Sequence, residues 1–306
     1  MYKSKHLMVL KALTPMHVGE GNEIGAIDLP IQREVHTNFP KIESSSLKGC
    51  IRNAFRSISG NNQYEYKIFG SAEKDSSYAG AVSFTDARIL FFPVRSAKGI
   101  YAYVTCPFVL KRFFSEMKAL QIDADINEAF LNSYKSSIMT SDRNIIVTSD
   151  ECIADNTVIL EEFTFSDVTV EKEEGGFKNF VKSISAFLPQ EGMKDDLVNR
   201  SILISDDEFS YFVEMATDVI TRIRVETVTG TTDNGLFDEE YLPAESILYS
   251  FLFIEDSKVK NEEMKAYEIS ASISKTLDNP IQIGGNSTLG KGFTLCRLSK
   301  NGKMEV

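Results

Sequence analysis

Histidine and cysteine are scarce in this sequence, and neither is spaced for metal binding. Its three histidines form no HxxxH or HxH pattern, which argues against a zinc enzyme. Its four cysteines show no CxxC spacing, so neither a zinc ribbon nor a disulfide framework is indicated. A reducing, cytoplasmic compartment is the simplest expectation for such a chain.

Long hydrophobic runs are also missing. The longest, such as residues 247–254, are far shorter than the roughly 20 residues that cross a bilayer, so no membrane association is expected. Residues 1–10 alternate instead of forming the apolar core of a secretion signal. The 306 residues are 42% hydrophobic and no Pro/Ser-rich linker divides them. We therefore expect a single elaborated domain over residues 1–306.

Positive charge is in the minority, and it lies at the two ends of the chain. The net charge of −11 argues against a general nucleic-acid coat. Residues 1–60 nevertheless carry a net charge of +3 and residues 276–306 carry +2, which leaves −16 for residues 61–275. If the two ends meet in space, they form an anion-binding face on an acidic body. The alternative is a chance distribution of solvated charge.

The hydrophobic pattern predicts an α+β fold. Strands and helices are mixed without strict alternation, and their order at the two ends suits a ferredoxin-like core with long insertions. The predicted strands cover residues 5–13, 81–92, 99–106, 157–169, 218–228, 242–255 and 293–298. The predicted helices cover residues 44–58, 108–120, 128–134, 178–188, 206–215 and 262–277. Serines 44–46 and Asp206 are the candidate N-caps.

Residues 14–40 show no sustained period and carry three glycines and three prolines. We expect a mobile loop there, and long structureless loops in compact domains are usually functional. His17 and Asp28 both lie on it. A carboxylate beside a phosphodiester can act as a base or as a ligand of a divalent metal. An aspartate before Leu-Pro also suits a plain turn, which is the alternative.

Residues 221–241 predict a projecting β-hairpin. Both arms have strand character, whereas residues 229–235 at the tip contain no apolar side chain that a core could bury. A hairpin of this kind reaches outward, toward a ligand or a neighbouring molecule. A surface hairpin without a function is the alternative.

A glycine-rich loop at residues 284–292 precedes the last predicted strand. Glycines allow consecutive backbone N–H groups to face an anion, and Lys291 adds positive charge. The spacing nearly matches a nucleotide-binding P-loop, but Gly292 replaces the required Ser or Thr and a strand follows, which argues against an NTPase. A cradle for a phosphate backbone and a plain turn both remain open.

The predicted helix at residues 44–58 begins with three serines. Such a helix start presents N–H groups and hydroxyls that bind phosphate readily. Lys48, Arg52 and Arg56 follow at spacings of four, which places them on one helix face. Taken alone, the pattern fits an ordinary solvated amphipathic helix better than a binding face.

Five segments of the sequence form a recognisable combination. They are LTPMHVGEG (13–21), IDLPIQRE (27–34), FPKIESSSLKG (39–49), EEYLP (239–243) and IQIGGNSTLGKG (281–292). Together they resemble the RAMP superfamily, and within it the repeated backbone subunit of type III-B (Cmr) CRISPR effector complexes. The glycine loop alone is common to many RAMP proteins, whereas the second and fourth segments narrow the resemblance to this subunit.

The resemblance implies a modified RNA-recognition-motif fold of the ferredoxin-like type, in which the hairpin at 221–241 is a thumb. Copies of the subunit would stack along a CRISPR guide RNA as part of a complex with other Cmr subunits. Each thumb would displace one base at a regular interval. The target RNA would be cut opposite each displaced base.

The resemblance also implies the site residues. Asp28 matches the family's essential aspartate and would hold a divalent metal, Mg²⁺ or Mn²⁺. His17, Glu239 and Tyr241 match residues near the cut, and the last two could meet Asp28 across a subunit interface. The residues that match the guide-RNA-binding face are Ser45, Lys48, Arg52, Gly284, Gly285, Asn286, Gly290 and Lys291.

RNA cleavage does not require a protein rich in histidines. RNA supplies its own nucleophile, the 2′-hydroxyl, and a splayed chain that aligns it with the neighbouring phosphorus lowers much of the barrier by orientation. A carboxylate, directly or through a hydrated metal ion, can then help to deprotonate it. Two alternatives stay open: a non-catalytic guide-RNA-binding subunit, and a stand-alone RAMP ribonuclease that processes precursor guide RNA with His17. No cofactor fingerprint supports a metabolic enzyme.

Overall fold

A computed structural model describes most of the chain. The described residues are 2–21, 25–59, 62–71, 78–124, 130–133, 144–171, 176–225, 230, 232–259, 263–299 and 303–304. Within them, none of the helices is long and apolar enough to cross a membrane.

Helices and strands alternate irregularly along the described residues. The helices are α1 (Ser44–Ser59), α2 (Asn62–Phe69), α3 (Pro107–Ala119), α4 (Phe130–Ser133), α5 (Gly176–Ser185), α6 (Glu191–Arg200), α7 (Asp206–Met215) and α8 (Ala266–Leu277). The strands are β1 (Ser4–Ala12), β2 (Lys41–Ile42), β3 (Gly70–Ser71), β4 (Tyr78–Ala79), β5 (Val82–Phe84), β6 (Ala87–Arg95), β7 (Tyr101–Thr105), β8 (Asp123–Ala124), β9 (Asn144–Val147), β10 (Val158–Leu160), β11 (Phe163–Phe165), β12 (Asp167–Val170), β13 (Ser201–Leu203), β14 (Asp218–Val225), β15 (Thr232–Tyr241), β16 (Ile247–Ile254), β17 (Ile281–Gln282), β18 (Phe293–Leu298) and β19 (Lys303–Met304).

A large mixed sheet organises these elements. Its strand order is β12-β9-β13-β7-β6-β16-β1-β18-β17, with β2 added on β6 and β5 on β16. Strand β1 is antiparallel to both β16 and β18, and seven of its nine residues are buried, so it is an interior strand of the sheet. Helices α1 and α8 contact each other and lie against this part of the sheet. The two ends of the chain therefore meet in space, as the charge distribution suggested.

The acidic middle of the chain extends the same sheet. Strand β13 pairs in parallel with β7, and β9 and β12 follow outward. Aromatic side chains of α3 and α5 pack against the neighbouring strands β6 and β16: the Phe180 ring lies 6.0 Å from that of Phe91, and the Phe113 ring lies 5.0 Å from that of Tyr249. The observed mixture of helices and strands confirms the predicted α+β class.

Most predicted elements are present, but two strands are divided. The predicted strand at 157–169 is three short strands, of which β10 and β11 form an antiparallel hairpin, because Glu161 adopts a left-handed backbone conformation with φ of 48°. The predicted strand at 81–92 is interrupted between β5 and β6. Helix α7 is capped by Ser205, whose side chain accepts a hydrogen bond from the Glu208 N–H, and not by Asp206.

The prediction that little holds residues 14–40 down is wrong for the described part of that stretch. Met16, Val18, Ile31 and Phe39 are all buried. Isolated β-bridges join the stretch to itself and to the end of strand β15. Four apolar side chains spread over 24 residues show no helical or strand period, which is why the pattern looked like an unanchored loop.

Strands β14 and β15 form the predicted hairpin as a separate two-stranded sheet. Their register runs from Asp218 opposite Tyr241 to Val225 opposite Thr232. The hairpin thus begins three residues earlier than residue 221, and residues 226–229 and 231, which include part of its predicted tip, lie outside the described residues. Ile223 and Leu236, which face each other across the pair, are 57% and 73% exposed. Both side chains are large and apolar, and in the described part of the chain they remain exposed to water.

An ion pair between a buried lysine and a partly exposed glutamate fixes the turn between the hairpin and the main sheet. The Lys11 ammonium group is 1% exposed and contacts the Glu245 carboxylate, and it lies 2.6 Å from the Tyr103 hydroxyl. Burial, and next the charge of Glu245, raise the pKa of Tyr103 well above its usual range. Glu245 has a φ of 74°, a left-handed conformation that costs energy for any residue other than glycine. The ion pair stabilises this turn against that strain.

Replacing Glu245 with alanine should lower the free energy of unfolding by on the order of 3 kcal/mol, because Lys11 would be left buried without its carboxylate. Glu245→Gly should cost less by about 1 kcal/mol, since glycine adopts positive φ without strain. Adding Lys11→Met to Glu245→Ala should restore much of the loss. Urea titrations of the isolated chain measure all three changes, with the exposed Glu191→Ala as the control. Equal losses for the alanine and glycine variants would contradict the role of backbone strain.

Candidate functional site

Three segments that are far apart in sequence meet at the base of the hairpin. They are the stretch that carries His17 and Asp28, the end of strand β15, and the glycine loop. Met16 bridges Leu242 just beyond β15. The Gly285 N–H donates to the His17 carbonyl at 2.8 Å, so the glycine loop lies directly on the first segment. The structure therefore brings most of the predicted site residues together within one chain.

Asp28 is exposed and is held against the hairpin. Its carboxylate Oδ2 accepts a hydrogen bond of 2.9 Å from the Asp238 N–H. On either side of this bond, the Leu29 N–H donates to the Asp238 carbonyl and the Glu240 N–H donates to the Leu29 carbonyl, each at 3.0 Å. Asp28 and the β15 residues therefore meet within one chain.

Glu239 is at the centre of a buried polar network. It is 4% exposed, and Tyr241 is fully buried. The Tyr241 hydroxyl donates to Glu239 Oε2 at 2.6 Å, and the Asn286 amide donates to Glu239 Oε1 at 2.6 Å and to the Tyr241 hydroxyl at 2.9 Å. Arg222 Nε lies 2.7 Å from Glu239 Oε2. Burial, and next the Glu239 carboxylate, raise the pKa of Tyr241 to about 12, so Tyr241 remains a hydrogen-bond donor at neutral pH.

His17 completes this network from the side of the first segment. Its Nδ1 lies 2.7 Å from the Glu240 carbonyl oxygen, so Nδ1 carries a proton and donates, and Nε2 faces Glu239 Oε1 at 3.5 Å. Gly284 has a φ of 86°, and a Cβ placed there would come within 2.2 Å of the His17 carbonyl oxygen. A glycine is therefore required for the loop to approach His17 this closely.

Glu240 faces the opposite side of strand β15 from Glu239. Its Oε1 lies 2.5 Å from Arg33 Nη2 and accepts a bond of 2.8 Å from the Thr217 hydroxyl. Its Oε2 accepts a bond of 3.0 Å from the Ile31 N–H. Sequence analysis missed this carboxylate, although the signal was present: adjacent glutamates on a strand point to opposite faces. Two buried carboxylates there require two separate sets of donors.

The glycine loop is a tight turn and not a P-loop. Residues 287–289 form one 3-10 turn between Asn286 and Gly290, which both have left-handed backbone angles, and strand β18 follows. Gly292 has a φ of 79°, and a Cβ there would come within 2.0 Å of the Ile283 carbonyl oxygen. The Ser or Thr of a P-loop cannot occupy this position, which explains the departure from that motif.

Lys291 extends the polar network toward the surface. Its ammonium group lies 4.9 Å from the centre of the Tyr241 ring. It also lies near Asp218 at the base of the hairpin, whose pKa is raised by burial and lowered in part by the charge of Lys291. Lys291 therefore interacts with both Tyr241 and Asp218 of the hairpin. A phosphate that approached the loop would compete with these two residues for its ammonium group.

The start of helix α1 lies beside the glycine loop. The Gly284 N–H is close enough to the Cys50 thiol to lower its pKa, although burial raises that pKa overall. Ser45 is exposed at the helix start. Lys48 is half-buried, with its ammonium group 3.2 Å from the Val82 carbonyl, and burial followed by the charge of Arg52 lowers its pKa. Together these groups form a polar surface next to the loop.

Two of the three basic residues on α1 are already paired with an acid. Arg52 and Arg56 both donate to the Glu65 carboxylate on α2. The hydrogen bond from Arg56 is the largest of the influences that lower the pKa of Glu65 to about 2. The stability from this depressed pKa is present above about pH 4.5 and is lost as the pH falls toward 2. The basic face is thus less positive than its sequence suggests.

A divalent metal would find one exposed carboxylate at this site. Among the described residues, no group of three His, Cys, Asp or Glu side chains is arranged to hold an ion. Hydrated Mg²⁺ commonly takes only one or two carboxylates and fills its other positions with water and phosphate oxygens. Asp28 fits a hydrated metal ion held by one carboxylate. It does not fit a site in which protein side chains supply all the ligands.

Comparisons with known proteins identify the family of the chain. A model of the RAMP superfamily matches residues 9–295. The CRISPR system Cmr endoribonuclease Cmr4 of Pyrococcus furiosus is 38% identical over 304 residues, which cover 97% of each chain. The CRISPR system CMR subunit Cmr4 of Saccharolobus solfataricus is 26% identical over 302 residues, or 94% of each chain.

Solved structures show the same fold. The crystal structure of oligomeric Cmr4 from Pyrococcus furiosus matches with a TM-score of 0.69 and 34% identity, over 97% of this chain and 98% of that one. A chain of the type III-B Cmr-beta complex bound to cognate target RNA matches with a TM-score of 0.72 over 97% and 98%, although its 21% identity supports the fold alone. The chain belongs to the RAMP superfamily and, within it, to the Cmr4 backbone subunits of type III-B CRISPR complexes.

Proposed function

We propose that this chain is the repeated backbone subunit of a CRISPR RNA-guided effector complex, and that it binds guide RNA and cleaves complementary target RNA at regular intervals. The observation that carries the proposal is an exposed Asp28 held at the base of the hairpin, next to the glycine loop. The relative from Pyrococcus furiosus is named as an endoribonuclease, and its crystal structure is described as oligomeric. Its partners would be copies of itself, other Cmr subunits and both RNAs.

The core is proposed to be ferredoxin-like. Four antiparallel strands lie in the order β18-β1-β16-β6, with α1 between β1 and β6 and α8 between β16 and β18. This is the order of a split βαβ motif. Most of the other strands and helices are then insertions between its second and third strands, whereas β2, α2, β3, β4 and β5 lie between the first and the second. In such a core, the glycine loop lies beside the start of the first helix, where a phosphate backbone would bind.

Cleavage would use the 2′-hydroxyl of the target RNA as the nucleophile. Its attack on the adjacent phosphorus forms a 2′,3′-cyclic phosphate and breaks the bond to the 5′-oxygen of the next nucleotide, which takes a proton from water as it leaves. The exposed Asp28 carboxylate would accept the proton of the attacking hydroxyl. Fixing Asp28 at the hairpin base would orient it toward a nucleotide that the hairpin holds splayed, and orientation of this kind accounts for a large part of many rate enhancements.

A divalent metal is proposed to assist at Asp28. When bound, Mg²⁺ or Mn²⁺ would offset the negative charge that develops on the phosphate oxygens. Asp28 is the residue of this chain that would hold it.

His17, Glu239 and Tyr241 are proposed to support the cut without touching the target RNA. Tyr241 is fully buried and Glu239 is 4% exposed. Their hydrogen bonds join the hairpin to the glycine loop through Asn286. A precursor-processing ribonuclease that uses His17 as its base is disfavoured, since one ring nitrogen is bound to a carbonyl and the other faces Glu239.

The hairpin is proposed to be the thumb that displaces one base per subunit. Its exposed Ile223 and Leu236 form an apolar pair on one face of β14 and β15. The Thr221 and Asp238 pair lies on the same face, nearer the base of the hairpin, and the Asp238 N–H holds Asp28. An apolar wedge adjacent to the carboxylate would place the nucleotide beside the displaced base within reach of it.

Asp28→Asn should lower the cleavage rate by at least about 10²-fold, because the amide can neither accept the proton nor hold the metal. Affinity for target RNA should stay within a few fold. The measurement is single-turnover cleavage in a reconstituted complex, with Glu20→Gln, an exposed acid in the same segment, as the control.

Chelation of metal should stop wild-type cleavage, and Mn²⁺ should restore cleavage of a target with a phosphorothioate at the cut. Unchanged cleavage by Asp28→Asn would contradict the role assigned to Asp28. Cleavage that continues in the presence of a chelator would contradict the role assigned to the metal.

Glu65→Gln should strengthen guide-RNA binding at low salt, because Arg52 and Arg56 would lose their carboxylate partner. The plot of log K against log salt should steepen by about 0.7 for each arginine that gains a phosphate contact. Arg52→Ala and Lys48→Ala should instead weaken binding to all sequences alike and flatten the slope. Filter binding over a salt series measures both effects. Glu151→Gln, which removes a carboxylate 2.7 Å from Arg200, is the control. An unchanged slope in Glu65→Gln would show that these arginines do not reach RNA.

Shortening the hairpin should disturb assembly or the spacing of cleavage products while leaving the chain folded. Replacing residues 223–236 with a two-residue Asn-Gly turn keeps the pairs from Asp218–Tyr241 to Arg222–Phe237 and removes the rest, including the proposed wedge of Ile223 and Leu236. Product lengths on a long target RNA are then read on a sequencing gel. A matched turn replacement at Asp155–Asn156 is the control. Unchanged regular spacing with the shortened hairpin would show that the thumb assignment is wrong.

A further inference from the structure

Both faces of the hairpin base make buried hydrogen bonds with the rest of the chain. The function proposed above involves only the face that carries Glu239 and Tyr241. Glu239 points toward the glycine loop, whereas Glu240 points toward the segment C-terminal to Asp28. Glu240 is 2% exposed, and its carboxylate receives three donors, from Arg33, Thr217 and the Ile31 backbone. A buried carboxylate with this many fixed donors has little freedom to move, because any displacement leaves a charge or a donor unpaired.

Each donor ties a different segment to strand β15. The Ile31 N–H is three residues beyond Asp28. The Arg33 guanidinium is 15% exposed, and its second terminal nitrogen Nη1 donates to the Asn38 carbonyl at 2.8 Å and to the Val213 carbonyl at 3.1 Å. Arginine suits this position because its planar fork reaches a carboxylate and backbone carbonyls at the same time. One carboxylate thus joins residues 31–38 and the end of helix α7 to the hairpin.

Asp28 depends on this joint more than on the described residues that precede it. Gly25 and Ala26 are exposed, and a Cβ added at Gly25 would meet no atom closer than 3.9 Å. On the C-terminal side, by contrast, Leu29 is bridged to β15 and Ile31 is bound by the Glu240 carboxylate. The position of the Asp28 carboxylate is therefore determined by the Asp238 N–H that it accepts from and by its C-terminal neighbours, Leu29 and Ile31.

We propose that Glu240 and Arg33 are positioning residues for Asp28: they set the rate of RNA cleavage through the placement of its carboxylate, without contacting RNA themselves. This inference rests on the proposed function, in which Asp28 takes part in the cut. A displacement of the reacting carboxylate by about 1 Å is enough to slow a reaction by about 10²-fold.

The test is single-turnover cleavage in the reconstituted complex at saturating target RNA, together with the affinity for that RNA. In Glu240→Gln, the amide nitrogen would face either the Ile31 N–H or the Arg33 guanidinium, so one donor loses its acceptor. The cleavage rate should fall by at least about tenfold while the affinity changes by less than about threefold. Arg33→Lys, which keeps the charge but loses the fork, should show an intermediate fall, and Arg33→Ala a larger one.

Glu34→Gln is the matched control. Glu34 is equally buried, lies in the same stretch, and is bound by Arg112 at 2.7 Å, Arg88 at 3.1 Å and the Thr37 hydroxyl at 2.6 Å. A purely structural role for Glu240 predicts the same loss in both variants, and that result would overturn the proposal. Thr217→Val removes one donor only, so it keeps the test available if Glu240→Gln fails to fold.

A double-variant measurement separates this proposal from the proposed function. If Glu240 acts through Asp28, then adding Glu240→Gln to Asp28→Asn should leave the residual cleavage rate unchanged within about twofold. A further tenfold fall in the double variant would mean that Glu240 acts by another route, and the inference would be wrong. If Asp28→Asn alone cleaves normally while Glu240→Gln is slow, the assignment of Asp28 fails as well, and the slow step must be sought elsewhere at the hairpin base.

Discussion

Four residues at the end of strand β15, 238 to 241, hold the three segments of the site together. Their backbone N–H and carbonyl groups pair with β14 on one edge and with Leu29 on the other. Their side chains alternate, so that Glu239 and Tyr241 face the glycine loop while Glu240 faces the segment after Asp28. Every one of these groups is buried or bonded. The strand end therefore acts as a rigid joint, and the exposed Asp28 carboxylate is placed by it.

Burying carboxylates at this joint has an energetic cost that only complete sets of donors can offset. Glu239 forms an ion pair with Arg222 and accepts hydrogen bonds from Tyr241 and Asn286, and Glu240 accepts from Arg33, Thr217 and the Ile31 backbone. The joint is consequently intolerant of partial change, since removing one donor leaves the rest mispaired. Specific geometry around a single reactive carboxylate is what an RNA-cleaving site needs, because RNA itself supplies the nucleophile.

The sequence predicted the elements that rest on a repeating pattern and missed those that rest on contacts. Alternation and helical spacing located β1, α1, α7 and the hairpin arms within a few residues. The anchoring of residues 14–40 was missed because Met16, Val18, Ile31 and Phe39 are buried without any period. The pairing of Arg52 and Arg56 with Glu65 was missed because α2 was not predicted at all, so the basic face was overestimated.

By itself, the sequence determined the α+β class, the projecting hairpin, the glycine loop and the family, because glycine positions, strand patterns and short motifs are local properties. Only the tertiary structure decided which of the matched residues are exposed. Asp28 is in water, whereas Glu239 and Tyr241 are interior groups, although all three look equally polar in the sequence. Burial depends on the groups that pack against a side chain from elsewhere in the chain. Here the covering groups come from three segments around residues 17, 240 and 286, the first of which lies more than 200 residues from the other two.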